Sequence, residues 1–264
     1  MEKKKIEVPV MADLHARGEQ PEYLFWVGCA GAFDDRYKKV AQAFVKILTF
    51  LDISYAVLGR EESCTGDPAR RAGNEMLYQM QALQNIAILE SYGITRIITI
   101  CPHCYNIFKN EYPDLGAKFE TINYLQLLDQ FIVSGKLSFD AAALGGVCVT
   151  YHDPCYLGRA NDMYFEPRSI LKKLTTGLVE MERNKSFAFC CGGGGTQMFK
   201  EAEKGNKEVY VERTEEALRT NATVIATACP FCMTMITDGI KSKNREDEIK
   251  NFDIAELIVQ SLNL

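Results

Sequence analysis

The stretch RIITICPHC, residues 96–104, contains a short apolar run that ends at a Cys-x-x-Cys motif. Isoleucine and threonine favour extended backbone, so this pattern predicts a buried strand that leads into the helical segment beginning at Cys104. A closely similar stretch, TVIATACPFC, occupies residues 223–232. The fold is therefore expected to contain the same strand, cysteine pair and helix twice.

Two further pairs of cysteines repeat with nearly the same period. The matching cysteines lie 126 residues apart for Cys29 and Cys155 and for Cys64 and Cys190, and 128 residues apart for Cys101 and Cys229 and for Cys104 and Cys232. Scattered structural cysteines would not recur at a nearly constant interval, so the chain is interpreted as a tandem duplication.

Strand-like and helix-like segments alternate in both copies. In the first copy, strands are predicted at 23–29, 54–59 and 96–104, and helices at 36–51, 67–93 and 104–112. The second copy has strand-like runs at 147–155, 178–182 and 223–232, with helices at 167–175 and 208–220. Alternation of this kind predicts an α/β fold with parallel sheets, flanking helices and cysteines at the carboxyl ends of strands, where such sheets place their sites.

The two copies predict the domain organisation. We expect a first domain at 20–116 and a second domain at 147–264. The intervening residues, 117–146, carry the apolar segment YLQLLDQFIV. This segment favours a packed connection over a flexible linker.

Composition excludes several classes of protein. The chain has 264 residues, of which 47% are hydrophobic, and 30 basic against 35 acidic side chains give a net charge of -5, so nucleic acid is not expected as a partner. The amino-terminal apolar run is too short for a signal peptide, and the longest apolar stretches are interrupted by charges. A cytoplasmic location without direct membrane insertion is expected, and in that compartment cysteines serve as metal ligands or redox groups more often than as disulfides.

The second copy contains five thiols on three loops, at Cys155, Cys190, Cys191, Cys229 and Cys232. Thiolates are the soft ligands that iron-sulfur clusters and zinc prefer. Gly192 and Gly193 begin a run of four glycines, which allows irregular backbone beside adjacent cysteines and close approach to a bulky centre. The alternatives are a buried thiol pair, a vicinal disulfide or a glycine turn, while a phosphate loop is disfavoured because no lysine follows before Lys200.

These motifs, together with YHDPCYLGR at 151–159 and CCGGGG at 190–195, resemble the cysteine-rich CCG domain. This domain occurs twice in the B subunit of heterodisulfide reductase and in iron-sulfur subunits of glycolate, lactate and glycerol-3-phosphate oxidation systems. The resemblance implies a non-cubane 4Fe-4S cluster held by the five cysteines of the second copy. The stretch EESCTGDPARRAGNE, 61–75, is similar to iron-sulfur oxidoreductases associated with electron-transfer flavoprotein and quinone reduction.

The first copy departs from the family pattern at one position. Cys29, Cys64, Cys101 and Cys104 match, but Thr65 stands where the second adjacent cysteine is expected. A hydroxyl is a poor ligand for soft iron. Four thiolates suit a different iron-sulfur cluster or a tetrahedral zinc ion, and a copy that has lost its metal is the third possibility.

Several residues near the cysteine motifs need separate interpretation. Cys148 has no counterpart in the first copy and is expected in the core. His103 and His152 each lie beside a cysteine of their motif, where hydrogen bonding to a ligand is the common role. His152 and Asp153 are also the candidates for a catalytic proton donor.

The resemblance implies an iron-sulfur redox subunit of a heterodisulfide-reductase-like complex. Such a subunit would pass electrons between a flavoprotein or ferredoxin-type partner and a disulfide or quinone-type acceptor, and would need those partners for activity. A membrane-bound quinone-reactive subunit would supply any membrane association. The alternative, based on the four thiols of the first copy, is a zinc-stabilised scaffold without redox activity.

Overall fold

The structure is a computed structural model that describes residues 6–140, 143–201 and 204–264. The chain forms two compact units, with the division between Leu127 and Leu128. Each unit contains one four-stranded parallel sheet, which confirms the predicted α/β class.

The first unit surrounds its sheet with short helices. Its elements are α1 (Met11–Ala16), β1 (Tyr23–Trp26), α2 (Gly28–Phe33), α3 (Tyr37–Phe50), β2 (Tyr55–Ala56), α4 (Asp67–Arg71), α5 (Glu75–Ser91), β3 (Arg96–Thr99), α6 (Pro102–Asn106) and β4 (Glu120–Asn123). Helix α7 (Tyr124–Val133) follows directly and contains the division between the units.

The second unit repeats this order of strands. Its elements are β5 (Cys148–Tyr151), α8 (Gly158–Asn161), α9 (Phe165–Leu174), β6 (Gly177–Val179), α10 (Val209–Leu218), β7 (Val224–Thr227), α11 (Pro230–Ser242), β8 (Lys250–Asp253) and α12 (Ile254–Leu262).

Both sheets have the same topology. The strand order is β2-β1-β3-β4 in the first sheet and β6-β5-β7-β8 in the second, and all neighbours are parallel. In each sheet the chain order reverses between the two central strands, β1 and β3 or β5 and β7. The carboxyl ends of those strands border the crevice in which parallel α/β sheets place their ligands. The topology therefore directs the cysteine loops to one edge of each sheet.

The central strands are apolar because both of their faces are covered. All four residues of β1 are buried, and so are all four of β7. Buried parallel strands show such continuous apolar runs instead of alternation. The predicted strands at 96–104 and 223–232 are confirmed, with regular pairing ending at Thr99 and Thr227 before the cysteines.

Two predicted segments differ in the structure. The helix predicted at 67–93 is divided into α4 and α5, because Gly73 adopts a positive φ of 86° that ends α4. Strand β4, within the predicted connection 117–146, pairs with β3 and so extends the first sheet. Residues 141 and 142 of that connection lie outside the described residues.

Gly239 determines how closely helices α10 and α11 approach. A Cβ atom at this position would lie 1.9 Å from Oγ1 and 2.8 Å from Cβ of Thr214. Overpacking of a tight contact costs about 1–3 kcal/mol. We expect Gly239→Val to lower the urea midpoint of unfolding clearly. Gly146→Val is the matched control, because a Cβ there meets no atom within 4 Å, and equal losses in both variants would contradict the close contact.

Within the described ranges, the helices are too short or too polar to cross a lipid bilayer.

Candidate metal centres

The second unit brings its five predicted thiols together. Cys155 follows β5, Cys190 and Cys191 lie between β6 and α10, and Cys229 and Cys232 lie at the start of α11. Their thiols form a series of hydrogen bonds, which runs from Cys155 through Cys190, Cys191 and Cys232 to Cys229. Cys191, Cys229 and Cys232 are buried, whereas Cys155 and Cys190 are partly exposed.

The two cysteines of the Cys-x-x-Cys motif lie on one helical turn. Cys229 precedes α11 with extended backbone, and Pro230 occupies the first turn, where its missing N–H costs no helical hydrogen bond. Cys232 lies in the same turn, three residues later. The first unit builds the same arrangement at Cys101 and Pro102 of α6. The strand, the proline and the start of the helix thus place the two sulfurs on one turn. This arrangement needs no contact with residues distant in sequence.

The glycines after Cys191 allow the backbone to approach two helices. Gly192 has a φ of 85°, and a Cβ there would lie 3.0 Å from Cβ of Val209. A Cβ at Gly193 would lie 2.9 Å from Cγ of Met235. The N–H of Gly192 also donates to Sγ of Cys190 at 3.3 Å. The glycines were predicted to make room for a bulky centre, and the structure adds that they make room for α10 and α11.

Hydrogen bonds among the thiols shift their acidity in opposite directions. The pKa of Cys190 is lowered because the Cys155 and Cys191 thiols and the Gly192 N–H donate to its sulfur. The pKa of Cys155 is raised by its hydrogen bond to Cys190 and by burial, and that of Cys232 by its neighbours Cys191 and Cys229 and by burial. Several thiolates cannot stay charged together in a buried site unless a cation offsets them. The donor set therefore suits a metal centre.

His152 adjoins this cluster and has a fixed orientation. The side chain is 1% exposed, and a ring nitrogen lies within 4.8 Å of the sulfurs of Cys191 and Cys232. Nδ1 accepts a hydrogen bond of 3.0 Å from Nε of Arg213. Burial and the charge of Arg213 hold the pKa of His152 well below its usual range. Because a guanidinium can only donate, Nδ1 of His152 carries no hydrogen.

Asp153 is held by an ion pair instead of facing the thiols freely. Its two carboxylate oxygens accept hydrogen bonds of 2.7 and 2.9 Å from Nη1 and Nη2 of Arg168, and Oδ2 accepts another from the N–H of Lys185 at 2.9 Å. Both side chains of the pair are buried. The Asp153 carboxylate is therefore engaged by Arg168 and by the Lys185 backbone, whereas His152 lies beside the thiols.

The first unit brings its four predicted thiols together as two hydrogen-bonded pairs. Cys29 follows β1, and its thiol is hydrogen-bonded to Cys64. Cys104 is hydrogen-bonded to Cys101, and both are buried. The pKa of Cys64 is lowered to about 7, chiefly because Cys29 donates to it. The arrangement brings four sulfur atoms together from three loops.

Thr65 occupies the place that Cys191 takes in the second unit. The residue is 2% exposed, and its Oγ1 lies 3.9 Å from Sγ of Cys104. The threonine thus belongs to the cluster of side chains but adds a hydroxyl. The two candidate sites consequently differ in the number of clustered thiols, and the first has a hydroxyl in place of the fifth.

Acidic groups line the first site, and they were missed by the sequence analysis. Glu62 accepts hydrogen bonds from the N–H groups of Val27 and Gly28, next to Cys29, and burial raises the pKa of Glu62 to about 7. Oδ2 of Asp67 lies 2.8 Å from Nδ1 of His103, within hydrogen-bonding distance. Glu62 and Asp67 flank Cys64 in the stretch 61–75, and this proximity was their only signal in the sequence.

Arg168 and Arg213 of the second unit were also missed. Both are buried, and they contact Asp153 and His152 across 15 and 61 residues of sequence. Each arginine lies on a helix whose pattern indicates only an amphipathic segment. Their roles depend on contacts between distant parts of the chain, which no local motif indicates.

Cys148 lies at the start of β5 and is partly exposed, whereas core burial was expected. The first position of the strand is less covered than the three residues that follow it.

Comparison with curated proteins identifies relatives with redox functions. The chain is 44% identical to a probable iron-sulfur-binding oxidoreductase, FadF, of Bacillus subtilis over 97% of this chain and 36% of that protein. It is 43% identical to an EtfAB:quinone oxidoreductase of Syntrophomonas wolfei over 93% of this chain and 35% of that protein. It is 30% identical to one subunit of a dihydromethanophenazine:CoB–CoM heterodisulfide reductase of Methanosarcina barkeri, over 93% of this chain and 60% of that protein.

The chain thus spans between about a third and three fifths of the length of these relatives. A cysteine-rich domain named CCG matches residues 23–109 and 149–237, which include all the cysteines of both candidate sites. The predicted resemblance is confirmed, and the chain belongs to the CCG cysteine-rich domain family, with one copy in each half.

Proposed function

We propose that this chain is an iron-sulfur redox module that transfers electrons within a larger oxidoreductase. The observation that carries the proposal is the convergence of five thiols in the second unit, at Cys155, Cys190, Cys191, Cys229 and Cys232. The names of the relatives, which are oxidoreductases with iron-sulfur or quinone functions, support it. A 4Fe-4S cluster of the non-cubane type, when bound, would accept and release single electrons.

The residues around the thiols would hold and shield that cluster. The burial of Cys191, Cys229 and Cys232 would exclude water from one side, and Phe231 and Met235 pack against these three sulfurs. Cys155 and Cys190 would remain on the accessible side. An electron donor or acceptor would therefore approach the side formed by the loops after β5 and β6.

We further propose that the first unit holds a different centre through Cys29, Cys64, Cys101 and Cys104. Four thiols suit either a cubane cluster or a zinc ion, and the hydroxyl of Thr65 replaces the fifth sulfur. The adjoining Glu62 and Asp67 also differ from the groups near the second site. We expect the two centres to be spectroscopically distinct.

Partners of two kinds are proposed from the relatives. The name EtfAB:quinone oxidoreductase suggests an electron-transferring flavoprotein as the donor and a quinone as the acceptor. The heterodisulfide reductase relative suggests a disulfide as the alternative acceptor. Activity would then require a flavoprotein or a ferredoxin-type partner, and a cytoplasmic chain would reach the membrane through a quinone-reactive partner.

Metal and sulfide analysis tests this function directly. The full chain would be purified without oxygen, and iron, acid-labile sulfide and zinc would be measured together with visible absorbance and electron paramagnetic resonance. We expect iron and sulfide in the second unit and a brown protein. A colourless protein with stoichiometric zinc and no iron would contradict the redox function and support the zinc-stabilised scaffold.

Cys148 provides a specificity test for the proposed ligands. Its thiol contributes to none of the hydrogen bonds among the clustered thiols, and its carbonyl, which accepts from the N–H of Thr223, is unaffected by a side-chain change. We expect Cys148→Ala to retain all iron and to lose about 1 kcal/mol or less of unfolding free energy. Loss of iron in this variant would show that Cys148 serves the centre and that the ligand set is wrong.

A further inference from the structure

One edge of the Arg213 guanidinium faces His152, which adjoins the second site. The side chain is fully buried, Nε donates to Nδ1 of His152 at 3.0 Å, and Nη1 donates at 2.9 Å to the Arg183 carbonyl and to Oε2 of Glu216. Nη2 has no hydrogen-bond partner within the residues that the structure describes. In a guanidinium fork, Nε and Nη2 share one edge, so Nη2 is turned to the same side as the bond to His152.

The bond from Arg213 determines which nitrogen of His152 carries the proton. Arginine is always a donor, so Nδ1 of His152 must be the acceptor. The hydrogen of the imidazole is then on the other nitrogen, Nε2. A nitrogen that carries a hydrogen has no lone pair for a metal ion. One ring nitrogen of His152 lies within 4.8 Å of the Cys191 and Cys232 sulfurs, and the hydrogen on Nε2 is the group that the imidazole can offer to a centre held there.

We propose that Arg213 is a positioning residue that fixes His152 as an N–H donor to the sulfurs of Cys191 and Cys232, and thereby raises the reduction potential of the second centre. This inference rests on the proposed function. Reduction adds negative charge to a cluster and its thiolates, and an N–H···S hydrogen bond together with a nearby buried cation stabilises that charge. The second unit would thus favour the reduced state of its own centre.

The first unit has different side chains at the corresponding positions. Trp26 and Asn85 stand 126 and 128 residues before His152 and Arg213. Trp26 packs edge-on against Phe108 at 4.8 Å, and Asn85 donates to the carbonyl of Cys64 and to the hydroxyl of Tyr112. Both residues are uncharged, so neither supplies the cation that Arg213 brings to the second unit. The effect should consequently be confined to the second centre.

Potentiometric titration followed by electron paramagnetic resonance tests the proposal on the reconstituted full chain. His152→Leu removes the donor, and Arg213→Gln removes the group that orients it. Each variant is expected to lower the reduction potential of the second centre by about 59 mV or more. For a one-electron couple this corresponds to a tenfold change in the reduction equilibrium. His152→Gln should keep most of the wild-type reduction potential, because its amide can donate from a similar position.

The double variant and a control sharpen the test. His152→Leu combined with Arg213→Gln should shift the potential by less than the sum of the single shifts, because the arginine acts through the histidine. His103→Leu, which changes a buried histidine of the first unit, should leave the second centre unchanged. Normal iron content with an unshifted potential in His152→Leu overturns the inference, whereas a wild-type chain without iron overturns the proposed function instead.

A measurement on the wild-type residue covers the case in which these variants lose iron. Histidine labelled with ¹⁵N is introduced into the His103→Leu chain, so that His152 is the labelled histidine next to a centre. Pulsed electron paramagnetic resonance is expected to show a weak nitrogen coupling and a proton coupling that disappears in D₂O. A strong nitrogen coupling would mean that His152 ligates the metal, and it would overturn the assignment of Arg213.

Discussion

Replacing Cys191 with serine is expected to remove the iron of the second unit and its paramagnetic signal, while the fold persists. Cys191 is 4% exposed, and its thiol lies between those of Cys190 and Cys232 in the hydrogen-bonded series. A hydroxyl is a poor ligand for soft iron, so the loss of the central sulfur should leave the site unable to hold a five-thiolate centre. The side chains have similar volumes, so the sheet should be undisturbed.

Iron, sulfide and circular dichroism of Cys191→Ser measure this result. Iron per chain should fall to whatever the first unit holds alone, and the far-ultraviolet spectrum should match the wild type. Thr65→Ser is the matched control, because Thr65 lies 126 residues earlier and packs against Cys104 in the corresponding place. Thr65→Ser should change neither the paramagnetic signal of the first unit nor that of the second. Two identical signals that both survive the Cys191 change would refute the asymmetric assignment of the two units.

Replacing Arg168 with methionine is expected to destabilise the protein by about 3–5 kcal/mol, the typical cost of leaving one member of a buried ion pair without its partner. Arg168 holds Asp153 through two hydrogen bonds, and Asp153 is 4% exposed. Glu180, which also accepts from Arg168, is more exposed and can be hydrated. The loss therefore arises mainly from the uncompensated carboxylate of Asp153.

Urea unfolding followed by circular dichroism measures the destabilisation. Arg96→Met is the matched control, because Arg96 pairs with Glu22 and Glu120 at the surface, where such pairs contribute about 0–1 kcal/mol. Arg168→Met combined with Asp153→Leu should regain stability, because the buried charge is removed together with its partner. A loss no larger than that of Arg96→Met would show that the Asp153 ion pair is not needed for the second unit.

Much of the fold could be predicted because it depends on local patterns. The apolar runs of β1, β3 and β7 end just before cysteine motifs, and their positions are recognisable from residue type alone. The boundaries of the helices and strands were harder to predict from the sequence. The division between α4 and α5 depends on one glycine with positive φ, within a segment whose helical pattern continues on both sides. The pairing of β4 is a contact between separate strands and has no local signature.

The duplication, the parallel α/β class and the identity of the clustered thiols could all be established from the order of residues, because a period of 126 to 128 residues and the chemistry of cysteine are properties of the chain. Folding in three dimensions was needed to establish which thiols touch, which remain accessible, and which polar groups surround them. Arg213 reaches His152 only because α10 packs beside the carboxyl end of β5, 61 residues away in sequence. Such contacts follow from strand order and helix packing, and local periodicity carries no information about either.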